Sequence, residues 1–157
     1  MLYSKIKQLR GNMKIYLDNC CYNRPFDDQT QLRIRLEAEA IKTILKLHEQ
    51  GLWEIVVSQV NIFELKNTPS PSKRLKLQDV FYKMQSIVPL TTSIIQRAQY
   101  FESINIDAMD AMHLACAENN ADILLTVDDK FLKRSELITN LEIEIANPLT
   151  WLQRVTQ

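Results

Sequence analysis

The chain has 157 residues, 46 % of them apolar and 24 % charged, which is enough for one domain with a full core and no need of staples. Its 19 basic and 19 acidic residues cancel; this is not the profile of a duplex-DNA reader, but it permits a nucleic-acid enzyme that holds phosphates through metal ions and a local basic patch. Two glycines, Gly11 and Gly51, exclude a phosphate-cradling Gly-rich loop, and three cysteines (Cys20, Cys21, Cys116) without a CxxC exclude a disulfide framework or zinc spacing and favour a reducing, cytoplasmic setting.

Residues 1–12 lack periodicity, carry Lys5, Lys7 and Arg10 without an acid, and end in Gly11-Asn12. They read as an N-terminal extension without the apolar stretch of a signal peptide, with Met13 as the natural start of a domain over 13–157. Residues 13–17 (Met-Lys-Ile-Tyr-Leu) read as a buried strand, followed by a loop to Asp28. Over 31–50, apolar positions at Leu32, Leu36, Ala40, Ile41, Ile44, Leu45 and His48 predict a helix, stopped by Gly51. A strand over 53–58, a short helix over 59–66 and a helix over 72–86 follow. Next come a short strand over 87–90 and helices over 91–103 and 107–119. Strands over 122–127 and 141–145, a turn or short helix over 128–134 and a terminal helix over 148–155 complete the chain. Strands separated by helices predict βαβ units and an α/β fold with a mostly parallel sheet covered on both faces. No apolar run approaches the roughly 20 residues of a membrane span.

An open parallel sheet places its site at the carboxyl ends of the strands. Asp18 follows the first strand directly, and Asp128 and Asp129 follow the strand over 122–127. Asp110 lies in the first turn of the helix before that strand, and Glu64 in the short helix after the second strand. Each has a plainer reading. Asp18 can begin a turn, Glu64 can face solvent, Asp107 can be a helix cap with Asp110 at its favoured N3 position, and Asp128 or Asp129 can cap the next helix. Their shared placement at strand ends raises the alternative. Carboxylates brought together repel unless a cation joins them, and Mg²⁺ or Mn²⁺ is the natural partner. The chemistry that follows is hydrolysis of a phosphodiester. His113, three residues after Asp110, reads chiefly as a packed structural histidine. Asn19 and Asn23 serve either a turn or a substrate, and Cys116 reads as core. Arg24, Lys130 and Lys133 are the better phosphate contacts, ahead of Lys73, Arg74 and Lys76.

Four segments together resemble the PIN-domain family. Residues 13–21 (Met-Lys-Ile-Tyr-Leu-Asp-Asn-Cys-Cys) are similar to its opening strand, and residues 58–65 (Ser-Gln-Val-Asn-Ile-Phe-Glu-Leu) to the segment that carries its glutamate. Residues 110–117 (Asp-Ala-Met-His-Leu-Ala-Cys-Ala) are similar to its third acidic motif, and residues 121–132 to its last strand with a Thr-x-Asp motif. The resemblance implies a three-layer α/β/α fold and divalent-metal-dependent cleavage of RNA. It implies Asp18, Glu64, Asp110 and Asp128 as the catalytic and metal-binding quartet, with one or two Mg²⁺ or Mn²⁺ ions held mainly by the three aspartates. Thr126 matches the supporting hydroxyl, Asp129 stands beside the matching position, and Asn19 adjoins the first aspartate. It further implies 5′-phosphate and 3′-hydroxyl products, frequent homodimers and, for VapC-type toxins, an inhibitory antitoxin partner.

Two other α/β classes with strand-end aspartates fit poorly. A receiver domain wants an acidic pair after its first strand, and a haloacid-type phosphatase wants Asp-x-Asp, whereas this chain has Asp18-Asn19-Cys20. The serious alternative is a PIN-like module that binds RNA or a protein without cutting.

Overall fold

The computed structural model describes residues 13–84 and 86–157, so the extension over 1–12 lies outside the described residues. Five strands, β1 (Lys14–Leu17), β2 (Glu54–Ser58), β3 (Ile87–Val88), β4 (Ile123–Leu125) and β5 (Glu144–Ala146), form one parallel sheet in the order β3-β2-β1-β4-β5. The helices are α1 (Asn19–Asn23), α2 (Leu32–Glu49), α3 (Gln59–Lys66), α4 (Pro71–Tyr82), α5 (Thr92–Ser103), α6 (Ala108–Glu118), α7 (Asp129–Ser135) and α8 (Pro148–Val155).

A parallel strand flanked by two others is covered on both faces, so its side chains are apolar without alternation. β1 meets this rule: Ile15, Tyr16 and Leu17 are all fully buried. Period-2 geometry then sorts neighbours to opposite sides. Ile15, Leu17, Ile55, Val57, Ile123 and Leu125 meet Ile41 and Ile44 of α2, Leu77 and Phe81 of α4 and Trp151 of α8. Tyr16, Val56 and Leu124 meet Phe101 of α5, Ala111, Leu114 and Ala115 of α6 and Phe131 of α7. The three layers expected from the sequence are therefore present. No helix among the described residues is long and apolar enough to cross a membrane.

Several boundaries differ from the sequence reading for local reasons. The expected loop after β1 is instead the short helix α1 and a 3₁₀ turn over Arg24–Phe26. Five residues are too few for a period to show, yet they bury Cys21 and Tyr22. α2 keeps Ala40, Ile41 and Ile44 of its expected inner face but departs from it in its first turns. Leu32 and Leu36 are exposed, while Glu37, Ala38 and Leu47 are buried. α2 does stop where expected: Gly51 takes a φ of 80°, and the Leu52 N–H returns to the Leu47 carbonyl at 3.0 Å. β3 is only two residues long, because the Leu90 N–H leaves the ladder for Gln59 Oε1 at 2.7 Å. The helix expected over 72–86 begins at Pro71, capped by Ser70, and ends at Tyr82.

Glu37 carries the main brace outside the sheet. Its buried carboxylate accepts from Arg24 (Nη2, 2.9 Å), Arg33 (Nε, 3.3 Å) and Asn147 (Nδ2, 2.6 Å), which joins the 3₁₀ turn, α2 and the cap of α8.

Truncation should separate the buried part of the expected face of α2 from its exposed part. Ile41→Ala should cost about 2–5 kcal/mol in urea unfolding, and Leu36→Ala within about 0.5 kcal/mol. Equal losses would contradict this packing.

Candidate functional site

The site is built at the carboxyl end of the central strand. The Asp18 N–H donates to the Leu125 carbonyl (3.0 Å), which extends the β1–β4 pairing one residue past β1. Asp18 occupies the N-cap position of α1, yet its side chain does not cap the helix. Instead Oδ2 accepts from the Thr126 hydroxyl at 2.9 Å, and Oδ1 lies 3.6 Å from His113 Nε2. Asp18 is 5 % exposed, too buried to be an ordinary turn residue.

Thr126, itself buried, links the two strand-end acids. It donates to Asp18 and accepts the Asp128 N–H at 3.1 Å. Asp128 caps α7: its Oδ1 accepts the N–H groups of Lys130 (3.0 Å) and Phe131 (3.2 Å). Asp110 lies in the first turn of α6 and half-buried. Burial, then the charges of Asp18 and Asp128, push its carboxyl up to about 7, although His113 pulls the other way. Glu64, on α3, hydrogen-bonds through Oε1 to His113 Nε2. Asp18 and Glu64 thus meet at His113, Asp128 is joined to Asp18 through Thr126, and Asp110 lies close enough to feel the charges of Asp18 and Asp128.

His113 is the residue whose importance the sequence least conveys. It is fully buried on α6, but it packs against charge as well as core. Nε2 faces Asp18 and Glu64; Nδ1 bonds the Tyr16 hydroxyl at 2.6 Å, and that hydroxyl bonds Ser58 Oγ at 2.7 Å. Burial alone would lower the imidazole's pKa, but the Glu64 hydrogen bond and the charges of Asp18, Glu64 and Asp110 raise it above its ordinary value. A cation-favouring imidazole thus sits inside the acid cluster. The only advance signal was its position one turn after Asp110. Tyr16 and Ser58 gave none, since each reads as part of a strand.

The remaining expectations resolve by geometry. Asn19 is buried in a reciprocal amide pair: it donates to the Asn61 carbonyl (3.0 Å) and accepts from Asn61 Nδ2 (2.6 Å). It joins α1 to α3. Asp129 gives both carboxylate oxygens to Arg33, each at 2.7 Å, and so belongs to the α2–α7 brace. Asp107 holds the N-cap position of α6 but makes no capping bond; it pairs with Lys130 (3.3 Å) and Arg134 (3.0 Å). Arg24 is likewise tied to Asp27 and Glu37. Two of the cations first favoured for phosphate contact are therefore already engaged.

Ligand atoms of Asp18, Glu64 and His113 lie within 4.8 Å of one another; the two carboxylates of this group fit a hard divalent cation. Two predictions follow from this arrangement of charge. Asp110 keeps a proton in the folded chain between about pH 4 and 7 that the unfolded chain has lost, so stability without a divalent cation falls as pH rises through that window. Asp110→Asn should therefore melt above wild type at about pH 8, and Mn²⁺ should raise the melting temperature of wild type only. A variant that melts below wild type there would contradict the crowding. Separately, Tyr16→Phe leaves His113 Nδ1 without its partner and should cost about 1–3 kcal/mol in chemical unfolding; a neutral result would remove Tyr16 from the network.

The comparisons with known proteins agree with this architecture. Three solved structures share the fold. The DNA-bound VapBC of Salmonella typhimurium superposes with a TM-score of 0.58 at 15 % identity, covering 87 % of this chain and 98 % of that one. VapBC2 of Rickettsia felis, bound to a DNA fragment from its promoter, gives 0.55 at 16 % identity over 85 % and 98 %. FitAcB of Neisseria gonorrhoeae gives 0.54 at 18 % identity over 85 % and 97 %. No curated protein matches the sequence. The PIN domain profile matches residues 26–137, a span that holds Glu64, Asp110 and Asp128 and begins after Asp18. With most of its length matched, and with a parallel α/β/α architecture that agrees, the chain belongs to the PIN domain family.

Proposed function

We propose that this chain is a divalent-metal-dependent endoribonuclease that hydrolyses phosphodiester bonds of single-stranded RNA. The observation that carries the reading is the meeting of Asp18 and Glu64 at the buried His113 imidazole, with the Asp110 carboxyl raised to about 7 by burial and then by the charges of Asp18 and Asp128. Such crowding is unfavourable in an apoprotein and is relieved by a cation. Asp18, Asp110 and Asp128, with Glu64, would hold Mg²⁺ or Mn²⁺. When bound, the ion supplies positive charge against the phosphate in the transition state and makes water a stronger acid.

The chain's own groups do the positioning. Thr126 fixes the rotamer of Asp18 while tying down the backbone of Asp128. His113 holds Glu64 against Asp18 and limits the repulsion between them. Asp128 commits Oδ1 to α7, so Oδ2 is the oxygen left for the cation. Glu64, less buried than Asp18, is suited to orient an attacking water. Products with 5′-phosphate and 3′-hydroxyl ends are the family expectation.

A toxin role, restrained by a cognate antitoxin, is the biological setting we favour, with a homodimer in a cytoplasmic compartment. It is supported by family membership and by the likeness of fold to VapBC and FitAcB. Three free cysteines suit that compartment.

Purified wild-type protein should cleave single-stranded RNA with Mg²⁺ or Mn²⁺ and stop on chelation. Asp18→Asn should lower the rate by about a hundredfold or more while retaining the fold by circular dichroism. Cleavage by the variant at the wild-type rate would sink the mechanism, and RNA binding without cleavage by wild type would favour a non-catalytic module.

A further inference from the structure

Among the described residues Glu37 is the most buried acid, at 1 % exposure, and it lies outside the acid cluster. Both of its oxygens are engaged. Oε1 accepts from Arg24 through Nε (3.0 Å) and Nη2 (2.9 Å). Oε2 accepts from Arg33 Nε (3.3 Å) and Asn147 Nδ2 (2.6 Å). Each of these three partners stands one step from a member of the Asp18–Thr126–Asp128 chain. Arg24 is the C-cap of α1, the five-residue helix whose N-cap is Asp18. Arg33 grips both oxygens of Asp129, each at 2.7 Å, and Asp129 opens α7 beside Asp128. Asn147 follows Ala146, whose carbonyl accepts the Thr126 N–H at 3.0 Å.

Stability alone does not call for this arrangement. A buried ion pair is often matched or bettered by well-packed apolar residues of similar volume. What apolar residues cannot do is tie three segments to one point by directional bonds. The segments tied here are those that carry Asp18, Asp128 and the backbone of Thr126.

We propose that Glu37 and Arg33 are positioning residues of the metal site, a reading that rests on the proposed binding of a divalent cation by Asp18 and Asp128. They touch neither the cation nor the substrate. They set the spacing of the two aspartates by holding α1, α7 and the end of β5 to one carboxylate. Groups bonded directly to metal ligands typically change metal affinity by about 10–100-fold when removed. Glu37 and Arg33 act one step further out, so the loss of one arm belongs at the lower end of that range. Charge and positioning predict opposite signs for Arg33. Removing a cation from the neighbourhood of the acids would by charge alone strengthen the binding of a metal ion. Releasing α7 weakens it.

The test titrates the full chain with Mn²⁺, without RNA, and reads the free ion by electron paramagnetic resonance. Wild type should bind Mn²⁺, and Asp18→Asn should lose most of that binding. Arg33→Ala should weaken the affinity about tenfold, although its exposed pair with Asp129 contributes little to folding stability. Arg33→Lys keeps the charge without the planar fork and should fall between the two. Asp129→Ala should cost less in the Arg33→Ala background than in wild type, because both changes cut one path. Arg154→Ala breaks a comparable exposed pair, with Glu144, and should leave the affinity unchanged. Glu37→Gln removes the acceptor for Arg33 and Asn147 and should weaken binding more than Arg33→Ala does; the Arg33 series decides the matter even where Glu37→Gln fails to fold. Should wild type bind Mn²⁺ while Arg33→Ala binds it equally or more tightly, the positioning role is wrong and the metal site stands. If wild type binds no Mn²⁺, both fall.

Discussion

Mutual repulsion among carboxylates is the constraint around which this molecule is arranged. Asp18, Asp110, Asp128 and Glu64 would separate if each were free to seek water. The fold denies them that freedom by anchoring each to a different rigid element. β1 and β4 clamp Asp18 through a backbone bond, Thr126 locks its side chain, and α7 fixes Asp128 through its cap. His113 enters the cluster from α6, where a buried imidazole close to two carboxylates offsets part of their charge. Its other nitrogen rests on Tyr16 and through it on Ser58, so the strands beneath the site also set the ring's orientation. The chain of bonds from Ser58 through Tyr16 and His113 to Glu64, and from Thr126 to Asp18, is rigid, and that rigidity is what a catalytic or metal-binding constellation requires.

A second charge network stabilises the opposite flank. Glu37 is buried, and a lone buried carboxylate would be severely unfavourable. Two guanidinium groups and an amide satisfy it, and one of those guanidinium groups, Arg33, goes on to bind Asp129. The path Asp27–Arg24–Glu37–Arg33–Asp129 therefore reaches from the 3₁₀ turn to α7, the helix capped by Asp128. Ion pairs of this kind contribute less to stability than to holding one arrangement among several, here the position of α7 against α2.

Much of the architecture was legible in the chain because sheet and helix periods are local. Apolar runs such as Ile15-Tyr16-Leu17 and Ile123-Leu124-Leu125 mark buried strands without reference to any partner. Three of the four acids were legible for a related reason: Asp18 and Asp128 follow strands and Asp110 sits in a first turn, whereas Glu64 lies further along α3. What escaped depends on pairs remote in sequence. His113 meets Glu64 49 residues away, and Arg33 meets Asp129 96 residues away. Only the Thr126-x-Asp128 spacing separates Asp128, which stays with the site, from Asp129, which is drawn off by Arg33. The departure in the first turns of α2 was hidden likewise: Leu36 looks like core and Glu37 like surface until Arg24, Arg33 and Asn147 are in place to receive the charge.

The order of strands also governs when the acid cluster can exist during synthesis. β1 emerges from the ribosome first and can pair with β2 early, but its other neighbour, β4, lies more than a hundred residues downstream. Until that segment emerges, Asp18 lacks both its backbone partner at Leu125 and its hydroxyl donor at Thr126. A nascent chain therefore carries scattered, hydrated acids and no assembled centre. A cell that makes this protein is exposed to whatever the centre does only once β4 and Thr126 have emerged, which leaves that stretch of translation for any restraining partner to be present first.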